Sequence, residues 1–424
     1  MYNLFKLDNG LRVVVENIEY VNSVSVGLWV ENGSRNENIT NSGISHFIEH
    51  MLFKGTDARS AKQIAEDIED VGGQINAFTG REATCFYIKA LDTHLELSLD
   101  ILSDMLFNSN FLEEDIEKEK GVIVEEINMS EDSPEDVLSD LHTKAIWDTD
   151  SISLPILGTM ETVKSFSRKT ILDYIDSYYI PENSVISISG KFDMENIETL
   201  VEKYFGKWLC TDKKITEYSS PEILSKHYFR KKDIEQLHVS LGIAGIELDN
   251  DDTYTLILLS NILGGGASSL LFQKIREELG LCYSIYCYIS AFKNTGIVNI
   301  YAGLSPINAK VAIDAIKQEV SNFAEHGIDE VRLSKAKEQL KGSYILGLES
   351  TSSRMFSNGR SVMFLNKINT PEDVLRKIDE IDMARVYSVM EKTFKKGIIN
   401  SAYVGKEKGM LKEVFKGNII SLDK

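Results

Sequence analysis

The order of strands and helices read along the first half of this chain starts again near residue 236. That recurrence constrains the fold most, because each copy of a repeated strand–helix pattern must bury its own apolar faces. In the first copy, Leu11, Val13 and Val15 alternate, and Val24 to Val30 reads as a buried strand. Helices are expected over 43–54, 61–71, 93–107, 113–130, 135–146 and 194–205, and strands over 74–79, 84–91 and 183–190. Ala61, Ile64, Ala65, Ile68 and Val71 form one apolar stripe, closed by Gly72 and Gly73. The polar stretch 210–226 reads as a linker. The second copy offers strands at 236–245, 282–290 and 296–304, and helices at 252–263, 307–326 and 329–349. Laying Leu112 to Lys120 over Asp329 to Lys337 sets Glu119 on Ala336 and Glu126 on Ser343. The expectation is an α+β fold of two homologous domains, 1–213 and 226–424. Each is a mostly antiparallel sheet with helices packed on it, and only the first keeps its carboxylates.

Length and charge agree with this. At 424 residues and 43% hydrophobic content the chain can bury two cores. The net charge of −19 argues against nucleic acid and against an anionic membrane surface, and is compatible with cationic peptides. Cys85, Cys210, Cys282 and Cys287 form no CxxC pair, so free thiols in a reducing compartment are expected, each a small buried apolar residue. From Met1 onward there is no basic segment followed by an apolar core, and no stretch nears the ~18 apolar residues of a membrane span. A soluble, cytoplasmic protein is expected.

The chemistry is concentrated in His46-Phe47-Ile48-Glu49-His50. Residues four apart lie on one helical face, so His46 and His50 can bind one zinc ion. Ile44, Ile48, Met51 and Leu52 would bury the opposite face. Glu49 is placed to take a proton from a water whose pKa zinc lowers to about 7. The order HxxEH inverts the commoner HExxH, and arises by chance at roughly 0.01 per sequence of this length. A solvated helix face is the plain alternative. Catalytic zinc takes three protein ligands, and the acidic helix 113–130 offers several candidates. Glu119 and Glu126, two turns apart, share a face, but the pattern alone does not choose among them.

These residues make the chain resemble the inverzincin peptidases, the family of pitrilysin, insulin-degrading enzyme and the mitochondrial processing peptidase. It is most similar to their short-chain branch. The resemblance rests on Gly43 to Thr56, on Gly72 to Thr79 and on Glu119 through Glu126, and extends over nearly the whole chain. It implies that Glu126, 76 residues past His50, is the third zinc ligand, and that Glu119 is an auxiliary catalytic glutamate. Glu125 is the neighbouring rival. It further implies that Asn76, Ala77 and Phe78 lie on an edge strand that pairs with substrate backbone. Gly264 to Phe272 resembles the family's glycine-rich loop, though Ala267 and Leu270 stand where Met and Arg are common. Arg276 and Tyr283 match a pair that stabilises the oxyanion. The function implied is a zinc endopeptidase acting on peptides or unfolded segments, with Glu49 as general base, inside a chamber formed by a homodimer. The alternatives are a heterodimer with an inactive partner, or a non-catalytic peptide-binding scaffold.

Overall fold

The computed structural model describes residues 1–209, 217–406 and 419–422. Cys210 and the expected boundary at residue 213 lie outside the described residues. The chain forms two compact units, each assembled from three segments. One comprises Met1–Ile127, Leu154–Glu217 and Ile345–Thr370; the other comprises Asn128–Ser153, Tyr218–Tyr344 and Pro371–Lys424.

The first unit is built on strands β1 (Tyr2–Lys6), β2 (Arg12–Asn17), β3 (Ser23–Val30), β4 (Gln74–Thr79), β5 (Thr84–Leu91) and β6 (Ser184–Gly190), in the order β1-β2-β6-β3-β5-β4. Only β2 and β6 pair parallel. The second unit has β7 (His227–Lys231), β8 (Leu237–Ala244), β9 (Cys282–Phe292), β10 (Thr295–Leu304), β11 (Ile398–Gly405) and β12 (Ile419–Ser421), in the order β12-β7-β11-β8-β10-β9. Its β7 pairs parallel with both β11 and β12, and the rest is antiparallel. Five strands of each sheet therefore follow the same path with the same directions, as the recurrence in sequence predicts, and the fold is α+β.

The central strands are buried on both faces, which is why they read as near-continuous apolar runs. One face of the first sheet carries helices Ile44–Leu52, Leu95–Asn108 and Ile197–Phe205 over a core of Val26, Leu28, Phe47, Ile48, Phe86 and Leu99. Its other face is covered by helix Thr351–Leu365, through Trp29, Val185, Phe356, Val362 and Met363. That helix comes from the C-terminal half of the chain. Glu16 is buried beneath it, bonded to Arg354 and, at 2.8 Å, to Asn358 Nδ2. Gly359 admits the close approach, since a Cβ there would lie 2.2 Å from Trp29 Nε1.

The second sheet mirrors this arrangement. Helix Pro134–Trp147, from the N-terminal half, covers one face through Val137, Leu138 and Leu141 against Tyr228, Tyr301 and Val404. Its His142 is fully enclosed: Nε2–H donates to Asn400 Oδ1 (3.0 Å), and Nδ1 accepts from Ser240 (2.7 Å). The tautomer follows from Asn400, whose amide donates to Leu224 O. The packing units are thus not the contiguous halves 1–213 and 226–424. A sheet with two apolar faces needs cover on both, and in each unit one cover is a helix supplied by the other half of the chain.

Candidate metal centre

Helix Ile44–Leu52 starts at Gly43, whose φ of 93° is accessible to glycine and whose absent side chain leaves room for the backbone of Leu157. Glu37 caps the helix by accepting the N–H groups of Gly43 (2.7 Å) and Ser45 (2.9 Å). Burial of this carboxyl outweighs those bonds and raises its pKa to about 7. Ile44, Phe47, Ile48, Met51 and Leu52 enter the core, so the opposite face presents His46 and His50 one turn apart, ring centroids 4.5 Å from each other.

Helix Glu113–Asp132 crosses that face. It buries Ile116, Glu119, Ile123 and Ile127, and the same phase brings Glu126 to the histidines. Glu126 Oε2 stands 3.6 Å from His46 Nε2 and 3.5 Å from His50 Nε2. These separations are long for hydrogen bonds. They match the spacing of about 3.3 Å between ligand atoms around a tetrahedral ion with bonds near 2.0–2.1 Å. Among the described residues this is the one cluster of three or more His, Cys, Asp or Glu able to hold a metal. Glu126 Oε2 is buried with no hydrogen-bond partner among the described residues, as expected of a donor atom arranged for a cation. Burial, and then the neighbouring His50, pull the His46 pKa down to about 3, so His46 offers a neutral imidazole. Burial opposes charge on His50 too, but its bond to Glu119, with Glu126 and Glu49 nearby, wins and raises its pKa. Glu125, the rival ligand, is exposed and outside the cluster.

Glu119 is 3% exposed and lies behind the histidines rather than among the ligand atoms. Its Oε1 is 2.8 Å from His50 Nδ1, and its Oε2 is 2.5 Å from Lys54 Nζ. Glu49 points to the edge of the sheet, where Thr79 Oγ1 donates to its Oε2. Burial raises the Glu49 pKa, and the Thr79 bond partly offsets this. Thr79 ends β4, whose ladder among the described residues is to β5 alone, which leaves its outer edge free. Asn76 and Phe78 face outward there and Ala77 is half-buried; the Phe78 ring packs edge-on to Trp29 (5.6 Å) and Phe356 (5.8 Å). Lys54 and Thr79 fall within the motif segments Gly43 to Thr56 and Gly72 to Thr79, and the structure gives each a carboxylate partner. The spacing His46, His50, Lys54 was the available signal for the first.

Arg276 and Tyr283 belong to the second unit. Arg276 sits on Phe272–Glu278, wound as a π-helix, and Tyr283 is the second residue of β9. The guanidinium lies 4.5 Å from the Phe272 ring centre and 5.3 Å from that of Tyr283, which is 75% exposed. The pair is therefore assembled and presented to solvent. On helix Glu330–Gly347 of this unit, Ala336 is buried where the alignment sets Glu119, and Ser343 replaces Glu126.

An inverted two-histidine motif on one helix, with a glutamate from a second helix, defines a metallopeptidase-type centre. The family model described as Insulinase (Peptidase family M16) matches residues 12–160, and that described as Peptidase M16 inactive domain matches 165–340. The chain belongs to peptidase family M16, the insulinase family. It is 41% identical over 394 residues to a Bacillus subtilis protein named uncharacterized zinc protease YmxG, covering 93% of this chain and 96% of that one. It is 37% identical over 398 residues to an uncharacterized zinc protease of Mycobacterium leprae, covering 92% and 88%. A protease from Helicobacter pylori of solved structure shares the fold with a TM-score of 0.88 at 22% identity, over 96% of this chain and 99% of that one. No helix among the described residues is long and apolar enough to cross a membrane.

Proposed function

We propose that this protein is a zinc-dependent endopeptidase. The observation that carries the reading is the meeting of His46, His50 and Glu126 at metal-ligand spacing, with Glu49 one residue from His50. These three side chains would hold the ion, and Glu119 would orient His50. A bound zinc ion would polarise the scissile carbonyl and lower the pKa of water at the site. Glu49 takes the proton from the attacking water and returns it to the leaving amine. Its burial supports this role, because a carboxylate with a raised pKa is a better proton acceptor near neutral pH. Substrate adds as a strand to the free edge of β4, along Asn76, Ala77 and Phe78, which leads directly to Thr79 and Glu49.

The decisive experiment measures zinc content and cleavage of a quenched basic peptide, with Glu49→Gln as control. Zinc bound with equal cleavage by both proteins would remove Glu49 from the mechanism. We further propose a homodimer in which Arg276 and Tyr283 of one copy complete the metal site of the other and stabilise the oxyanion. Mixing Glu49→Gln chains with Tyr283→Phe chains then restores up to about a quarter of parental activity. Half of randomly mixed dimers are heterodimers, each with one undamaged site. No gain on mixing would place both groups in one chain's own site.

A further inference from the structure

Helix Ile44–Leu52 presents His46 and His50 on one face, and Lys54 follows at the same four-residue step, just beyond the helix end. Its backbone N–H bonds to Met51 O, three residues back, at 3.1 Å, so a tight closing turn after the helix end carries Lys54 toward helix Glu113–Asp132. There Lys54 Nζ meets Glu119 Oε2 at 2.5 Å, while Glu119 Oε1 meets His50 Nδ1 at 2.8 Å. The two carboxylate oxygens thus have one partner each, and the group is 3% exposed.

His50 turns Nε2 toward Glu126, so Nε2 is the nitrogen available to a metal. An imidazole offers the Nε2 lone pair only when its proton is on Nδ1, and that tautomer is favoured when Nδ1–H has an acceptor. Glu119 is that acceptor, provided it stays in place and turns an oxygen to the ring. A carboxylate this buried, held only by a neutral imidazole, is poorly compensated. Lys54 supplies the opposite charge and fixes the second oxygen, which leaves Glu119 one orientation.

We infer that Lys54 is a positioning residue for the metal centre, acting on zinc affinity through Glu119 and His50 without touching the ion or the substrate. This inference rests on the zinc reading above. It also accounts for a half-buried lysine whose ammonium is committed to a buried carboxylate.

The test is zinc affinity, measured on the full-length chain by competition with a chromogenic chelator at fixed pH. Lys54→Met is expected to weaken zinc binding about tenfold, within the range seen when groups behind metal-binding histidines are removed. Lys54→Arg restores most of it, because a guanidinium also pairs with the carboxylate. Glu119→Gln alone lowers affinity at least as much, and adding Lys54→Met to it causes little further loss, since the lysine acts through the glutamate. The thermal midpoint of the zinc-free proteins is recorded alongside, so that a general loss of folding is separated from a local one. Unchanged zinc affinity in Lys54→Met would overturn the inference, as would full additivity of the two losses. Absence of zinc binding by the parent chain would instead overturn the zinc reading itself.

Discussion

In the first unit, helix Glu113–Asp132 brings Glu119 and Glu126 to His50 and His46; in the second, helix Glu330–Gly347 carries Ala336 and Ser343 at the matching places. Five of the six strands in each sheet follow the same order. The second unit buries Ala336 in its apolar core at the matching position. Buried charge at this crossing is therefore not a requirement of the fold. On the zinc reading proposed above, the group formed by Glu119, His50 and Lys54 in the first unit serves the metal centre, since the matching position in the other copy is packed with an apolar residue.

The comparison also shows what the copies exchange. Each sheet takes a helix from the other half of the chain, Thr351–Leu365 on the first and Pro134–Trp147 on the second. The largest expected effect follows from this. Fragments 1–213 and 226–424 expressed separately should not unfold cooperatively, because each would expose one apolar sheet face; co-expression should restore a single sharp transition in a thermal melt. Two fragments that each melt cooperatively alone would mean the exchanged helices are dispensable.

Next in size is the chemical asymmetry. Glu49→Gln should lower kcat/KM by roughly 10³-fold while zinc stays bound, read from hydrolysis rates beside metal analysis. A loss of metal matching the loss of activity would make Glu49 a structural group instead.

The two exchanged helices are held differently, and pH should tell them apart. On the first sheet Arg354 and Asn358 grip Glu16; on the second the grip is the enclosed His142. Burial, with a smaller contribution from His227, lowers the His142 pKa from 6.5 to about 4. Between those values the unfolded chain binds a proton that the folded chain does not, so stability declines as pH falls from 6.5 toward 4. The loss is on the order of 3 kcal/mol at most. Denaturant midpoints measured across that window should show the decline, and His142→Gln should flatten it. An equally steep decline in the variant would assign the acid sensitivity elsewhere.

The smallest effect is steric. Gly359→Ala puts a methyl into the space held by Trp29 and should cost about 1–3 kcal/mol, seen as a lower denaturation midpoint. Gly342 serves as the control, because a Cβ at that position would have nothing within 4 Å. Gly342→Ala should therefore leave stability unchanged or slightly raised.

Much of this was legible in the residues. Alternation and apolar runs located the strands because side-chain direction along a strand is a local property, and Val24 to Val30 is one such run. The pair His46 and His50 was legible for the same reason, as a helical turn fixes which residues share a face. The N-terminal strand β1 and the elements after residue 350 had weaker patterns. Helix Thr351–Leu365 in particular mixes serine, asparagine and glycine with Met355, Val362 and Met363. Its polar groups are satisfied by partners such as Glu16 and Ser187 that lie far away in sequence, so its burial leaves little local trace.

The sequence by itself determined the duplicated plan, the histidine pair and the candidate glutamates. Each depends on periodicity within a few turns or on a recurring order of elements. The resemblance pointed to Glu126, and the tertiary structure sets it rather than Glu125 beside the histidines; only the tertiary structure decided that Lys54 and Thr79 hold Glu119 and Glu49, and that each half covers the other half's sheet. Those outcomes depend on where helices cross and which apolar face remains to be buried, and both are set by packing between segments far apart in the chain.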